Sequence, residues 1–71
     1  MEKDLPIECK RFRKVREDQH MTQQAFAELL DIGNTTADIE RGKTKITGKV
    51  VMQLLSLYGI NPLWLYGKSF K

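Results

Sequence analysis

The chain has 71 residues, enough for one small domain over 1–71 and too few for a large catalytic cleft. Its single cysteine, Cys9, excludes an intramolecular disulfide and a thiol-built metal cluster, so the core must come from the 41% of residues that are hydrophobic. The net charge of +3 is unevenly placed: five of the twelve Lys and Arg lie between Lys10 and Arg16, and four between Arg41 and Lys49. Two such clusters either flank a surface for a polyanion or are ordinary solvated helix faces. No apolar run approaches the length of a membrane span, and the N-terminus lacks a basic start followed by an apolar segment. With an unpaired cysteine, these features point to a cytoplasmic protein.

The predicted elements are all helical. Asp4 is placed to cap a first helix that carries Pro6 in its opening turn and ends near Gln19 and His20. Phe12 and Val15 stand three apart on one of its faces. Thr22 caps a second helix, whose Ala25, Phe26, Leu29 and Leu30 form the expected buried stripe. Ala27 is small enough for two helix backbones to meet there. Asp31 to Asn34 is a turn, with Ile32 pointing inward. A third helix is expected from about Asn34 to Arg41, stopped by Gly42, which accepts a left-handed conformation. After the basic loop Lys43–Ile46, Thr47 caps a fourth helix with Val50, Val51, Leu54, Leu55 and Tyr58 on a broad apolar face. Gly59 ends it, and Asn61-Pro62 starts a short fifth helix through Tyr66. Two short helices around a tight turn, the second ending at glycine, have the order of a helix-turn-helix.

Several segments carry a family pattern in sequence order: Phe12-Arg13-Lys14-Val15-Arg16-Glu17, Thr22-Gln23, Phe26-Ala27-Glu28, Ile39-Glu40-Arg41-Gly42-Lys43 and Ile60-Asn61-Pro62-Leu63-Trp64-Leu65. From Phe12 to Gly67 the chain resembles the helix-turn-helix domain of the Cro and phage-repressor (XRE-like) type. The resemblance implies a compact, lambda-repressor-like bundle of five helices that binds double-stranded DNA, usually as a homodimer with reading helices about 34 Å apart. It also implies a buried ion pair between Arg16 and Glu40. One departure stands out. Between Ile32 and Ile39 the chain is one residue shorter than the family pattern, and Gly33 stands where a Ser or Thr cap is customary. The recognition helix is therefore expected to begin or rotate differently.

Base reading calls for short polar side chains at the start of the third helix, and the candidates are Asn34, Thr35, Thr36 and Asp38. Asn34 suits adenine, and a threonine methyl suits thymine. Either threonine alone reads equally well as solvated helix surface. Asp38 falls at a base-reading position of the family, yet a carboxylate repels phosphate and accepts only from a donor such as cytosine N4. Phosphate contacts are expected from Gln23 at the start of the second helix, and from Arg41, Lys43, Thr44 and Lys45. Arg13 or Lys10 on the first helix is placed for a more distant contact, and Gln24 is a weaker candidate.

Leu63, Tyr66 and Phe70 are either a dimer seam or the closure of a small core. His20 reads as a polar turn residue, Cys9 as a small partly buried hydrophobe and Trp64 as packing. No catalytic set, metal site, cofactor motif or small-molecule site is evident, so no enzyme is expected. The leading expectation is a prokaryotic or phage-type transcriptional regulator. The competing one is a helix-turn-helix protein-interaction module: an antitoxin, anti-repressor or adaptor.

Overall fold

The computed structural model describes residues 5–70. Five helices follow in order: α1 (Ile7–Asp18), α2 (Gln23–Leu30), α3 (Thr36–Glu40), α4 (Gly48–Tyr58) and α5 (Pro62–Leu65). No strand occurs among the described residues.

The starts of three helices follow local rules. Thr22 Oγ1 accepts from Ala25 N–H at 3.0 Å, Thr47 Oγ1 from Val50 N–H at 3.4 Å, and Asn61 Oδ1 from Leu63 N–H at 2.9 Å. Each satisfies a donor that the first helical turn leaves without a partner. The first helix differs from expectation. Pro6 is its N-cap, in an extended conformation (φ −56°, ψ 149°), and its carbonyl accepts from Cys9 and Lys10. Asp4, expected to cap this helix, lies outside the described residues.

All five helices are followed by a positive-φ residue, Gly59 after α4 among them, and the other four close in one way. The positive-φ residues of those four are His20 after α1, Asp31 after α2, Gly42 after α3 and Gly67 after α5. The following N–H reaches back five residues in each case: Met21 to Arg16, Ile32 to Ala27, Lys43 to Asp38 and Lys68 to Leu63. This is the Schellman closure, which satisfies carbonyls that the helix end would otherwise strand. Gly67 has a second reason to be glycine. A Cβ there would lie 2.9 Å from Ile7 Cγ2, so the C-terminal turn can press onto the start of α1.

The core gathers Phe12, Val15, Phe26, Leu30, Ile39, Ile46, Val50, Leu54 and Leu65. Phe12 and Phe26 meet edge to face, with centroids 5.3 Å apart, which locks α1 onto α2. Two residues expected in this core are outside it: Leu29 is 41% exposed and Leu55 is 40% exposed. In α2 the buried arc runs through Phe26, Leu30 and Ala27, because α2 packs along α3 and sets Phe26 against Phe12 of α1. That rotation turns Leu29 toward solvent. In α4, Val50 and Leu54 take the centre of the buried face and leave Leu55 at its margin.

α3 is the largest departure from expectation. It has five residues in place of the stretch from Asn34 to Arg41. Asp31 and Gly33 both take positive φ, so the turn consumes Asn34 and Thr35 before a helix can start. α5 is likewise shorter than expected, since Tyr66 lies just past its end.

Candidate nucleic-acid interface

One carboxylate organises the corner where α1, α2 and α3 meet. Arg16 Nε donates to Glu40 Oε2 at 2.6 Å, and Arg16 Nη2 donates to Glu40 Oε1 at 3.1 Å. The side chains are 13% and 5% exposed. Arg16 Nη1 donates to the Met21 carbonyl at 2.8 Å, which ties down the α1–α2 turn. Gln23 Nε2 donates to Glu40 Oε1 at 3.0 Å. The end of α3 is therefore fixed to α1 and to the first residue of α2 by charge-assisted bonds, the stronger kind of hydrogen bond.

Beside this corner, a cleft of about 210 Å³ lies between α2 and α3, with Gln23, Gln24, Asn34 and Ala37 among its lining residues. Asn34 is exposed. Thr35 Oγ1 donates to the Ile32 carbonyl at 2.8 Å, so its hydroxyl is held inside the turn. Thr36 requires a correction. It was a base-contact candidate, but it is 1% exposed and its Oγ1 has no hydrogen-bond partner. The short turn starts the helix at Thr36 and brings that side chain inward.

Asp38 is at the outer side of α3, and its Oδ1 accepts from Arg41 Nη2 at 2.7 Å. Arg41, assigned to phosphate on sequence grounds, thus holds a partner on the same helix turn. The Asp38 carbonyl accepts from Lys43 N–H at 2.9 Å and from Thr44 N–H at 3.4 Å, which wraps the basic loop around the end of α3. Lys43 and Lys45 are exposed, and Thr44 is half-buried. Lys49, at the start of α4, donates to the Asp31 carbonyl at 3.3 Å and reaches Asp31 Oδ2 at 3.7 Å.

Away from this face, Leu63, Tyr66 and Phe70 are 58%, 37% and 99% exposed, so they do not close the core. Sequence reasoning missed what holds this end in place. Arg11 Nη1 donates to the Trp64 and Ser69 carbonyls, and its guanidinium lies 4.7 Å from the Trp64 ring centroid. No local signal marks a contact between residues 53 positions apart. Cys9 is buried, and that burial, helped by the neighbouring Glu8, pushes its thiol pKa above the usual range and suppresses the reactive thiolate. Among the described residues, no group of His, Cys, Asp and Glu is placed to hold a metal ion, and no helix is long and apolar enough to cross a membrane.

A capped α2, a tight turn, and a second short helix pinned to α1 define a helix-turn-helix domain. The helix-turn-helix family model matches residues 12–65, most of the chain. The chain belongs to this family of the Cro and phage-repressor type, and so falls in the broad class of DNA-binding regulators. No curated protein and no solved structure gives a significant match.

Proposed function

We propose that this chain is a sequence-specific double-stranded DNA-binding protein and a prokaryotic or phage-type transcriptional regulator, acting in the cytoplasm as a homodimer. α3 enters the major groove, with Asp38 on the helix and Asn34 on the turn before it meeting base edges. Lys43 and Lys45, together with the backbone N–H of Gln23 at the start of α2, grip phosphates on either side, with Thr44 as a supporting contact and the methyl of Thr35 against thymine. The observation that carries this reading is the Arg16–Glu40–Gln23 network. It fixes the reading helix relative to the start of α2, so phosphate grip and base reading share one rigid frame. The loop hydrogen bonds to the Asp38 carbonyl extend that frame to Lys43.

Fluorescence anisotropy with duplex DNA across a salt series, with selection from a random pool, tests the reading. Binding should weaken steeply with salt because phosphate contacts release counterions. Charge reversal in Lys43→Glu/Lys45→Glu should abolish binding at moderate salt. Binding insensitive to both salt and these substitutions would end the proposal.

The exposed Leu63, Tyr66 and Phe70 favour a second reading, a protein-interaction module serving as antitoxin, anti-repressor or adaptor. Under that reading Leu63→Glu matters most, and duplex DNA does not bind even at low salt.

A further inference from the structure

Asp38 poses a problem for a DNA-facing helix, because a lone carboxylate there repels phosphate and every major-groove acceptor. The structure pairs it. Arg41 Nη2 lies 2.7 Å from Asp38 Oδ1, on the same side of α3. Both residues stay accessible, with side chains 63% exposed for Arg41 and 36% for Asp38. The backbone under the pair is held by the Schellman closure, in which Lys43 N–H bonds the Asp38 carbonyl and Gly42 N–H the Ile39 carbonyl. The neighbouring acid, Glu40, is buried and engaged with Arg16, so it does not compete for Arg41.

We propose that Asp38 and Arg41 act as one specificity-determining unit that reads a G·C base pair. This inference rests on the DNA-binding reading above. The guanidinium offers a planar fork of donors, and the carboxylate offers an acceptor within one hydrogen bond of it. Read across the major groove, a G·C pair shows two acceptors, guanine N7 and O6, followed by one donor, cytosine N4. Donor, donor, acceptor on the protein matches acceptor, acceptor, donor on the base pair. An A·T pair breaks the match, because it sets the adenine N6 donor against the guanidinium fork and the thymine O4 acceptor against the carboxylate. Asp38 both aims the guanidinium and penalises the wrong pair. The unit is close to neutral, which removes the repulsion that Asp38 alone would cause.

The test uses the full chain and the duplex motif selected from the random pool. The motif should contain a fixed G·C pair in each half-site. Replacing that pair by A·T, or its guanine by 7-deazaguanine, should weaken wild-type binding about tenfold or more. Asp38→Asn and Arg41→Gln should each erase the difference between the G·C and A·T duplexes at that position alone. Circular dichroism melts of both variants serve as the folding control. Salt-dependent binding with no G·C position lost in both variants overturns the inference and leaves the DNA-binding reading standing. Loss in only one variant also overturns it, because the residues then do not act together. Absence of duplex binding by the wild-type chain defeats the DNA-binding reading and this inference with it.

Discussion

Arg11 and Arg16 both leave α1, yet they hold their neighbours by different chemistry. Arg16 meets a buried carboxylate, and its three donor nitrogens are used within the corner of α1, α2 and α3. Arg11 meets two backbone carbonyls and the face of Trp64, with no carboxylate among these contacts. The first arrangement fixes α3, the reading helix of the proposed function, to α1 and α2. The second secures the C-terminal turn while leaving Leu63, Tyr66 and Phe70 in solvent. A chain this small stabilises the corner of α1, α2 and α3 with a desolvated ion pair.

The largest expected effect breaks the first region. Glu40→Ala strands the Arg16 guanidinium at 13% exposure and also releases Gln23. Removing one partner of a buried pair costs about 3–5 kcal/mol. In a domain of this size that corresponds to a fall in Tm of roughly ten degrees or more. A melt within two or three degrees of wild type would show that the pair contributes little. Replacing both partners, as Arg16→Met/Glu40→Leu, should recover much of the loss, since neither charge is then stranded.

Arg11→Ala is the matching test of the second region and should cost less, about 1–2 kcal/mol. It removes a cation–π contact and hydrogen bonds to carbonyls that water can partly replace. Trp64 fluorescence reports the change directly, because the guanidinium sits over its ring. A loss as large as that of Glu40→Ala would erase the distinction between the two regions. No change in either Tm or Trp64 emission would show that the C-terminal turn is held by packing alone.

The contrast also explains what the sequence could and could not disclose. Thr22, Thr47 and Asn61 were legible as caps because a cap is a local affair of one side chain and one nearby N–H. The left-handed closures at His20 and Asp31 were not, because neither residue type demands positive φ. The one-residue shortening before α3 was visible in the residues, but its consequence required three dimensions. Two left-handed residues in the turn delay the helix to Thr36 and carry that side chain into the interior, away from the exposed position expected of a base contact. Arg11 over Trp64 joins residues far apart in sequence, and no periodicity encodes such a contact.

Thr36 gives a smaller effect of opposite sign. Its hydroxyl is buried without a partner beside the ion-pair corner, and an unsatisfied buried hydroxyl costs about 1–3 kcal/mol. Thr36→Val keeps the shape and removes the polar atom, so it should raise stability by about 1 kcal/mol, or roughly 4–8 °C in Tm. A fall in Tm would mean that the hydroxyl finds a partner in solution, such as an ordered water.

The smallest effect on folding belongs to Leu63→Glu, and that is what makes it informative. Leu63 is 58% exposed, so its replacement should change the monomer's stability by no more than about 0.5 kcal/mol. Self-association is another matter. In the proposed homodimer, Leu63, Tyr66 and Phe70 meet their counterparts across a two-fold axis, so one substitution places two carboxylates in one apolar seam. Sedimentation should then shift from dimer to monomer with Tm nearly constant at low concentration. Sedimentation unchanged from a wild-type dimer would remove this surface from the interface and leave its exposure to be explained by a different partner. A shift accompanied by a large loss of Tm would instead place Leu63 in the fold of the chain, against its exposure in the structure.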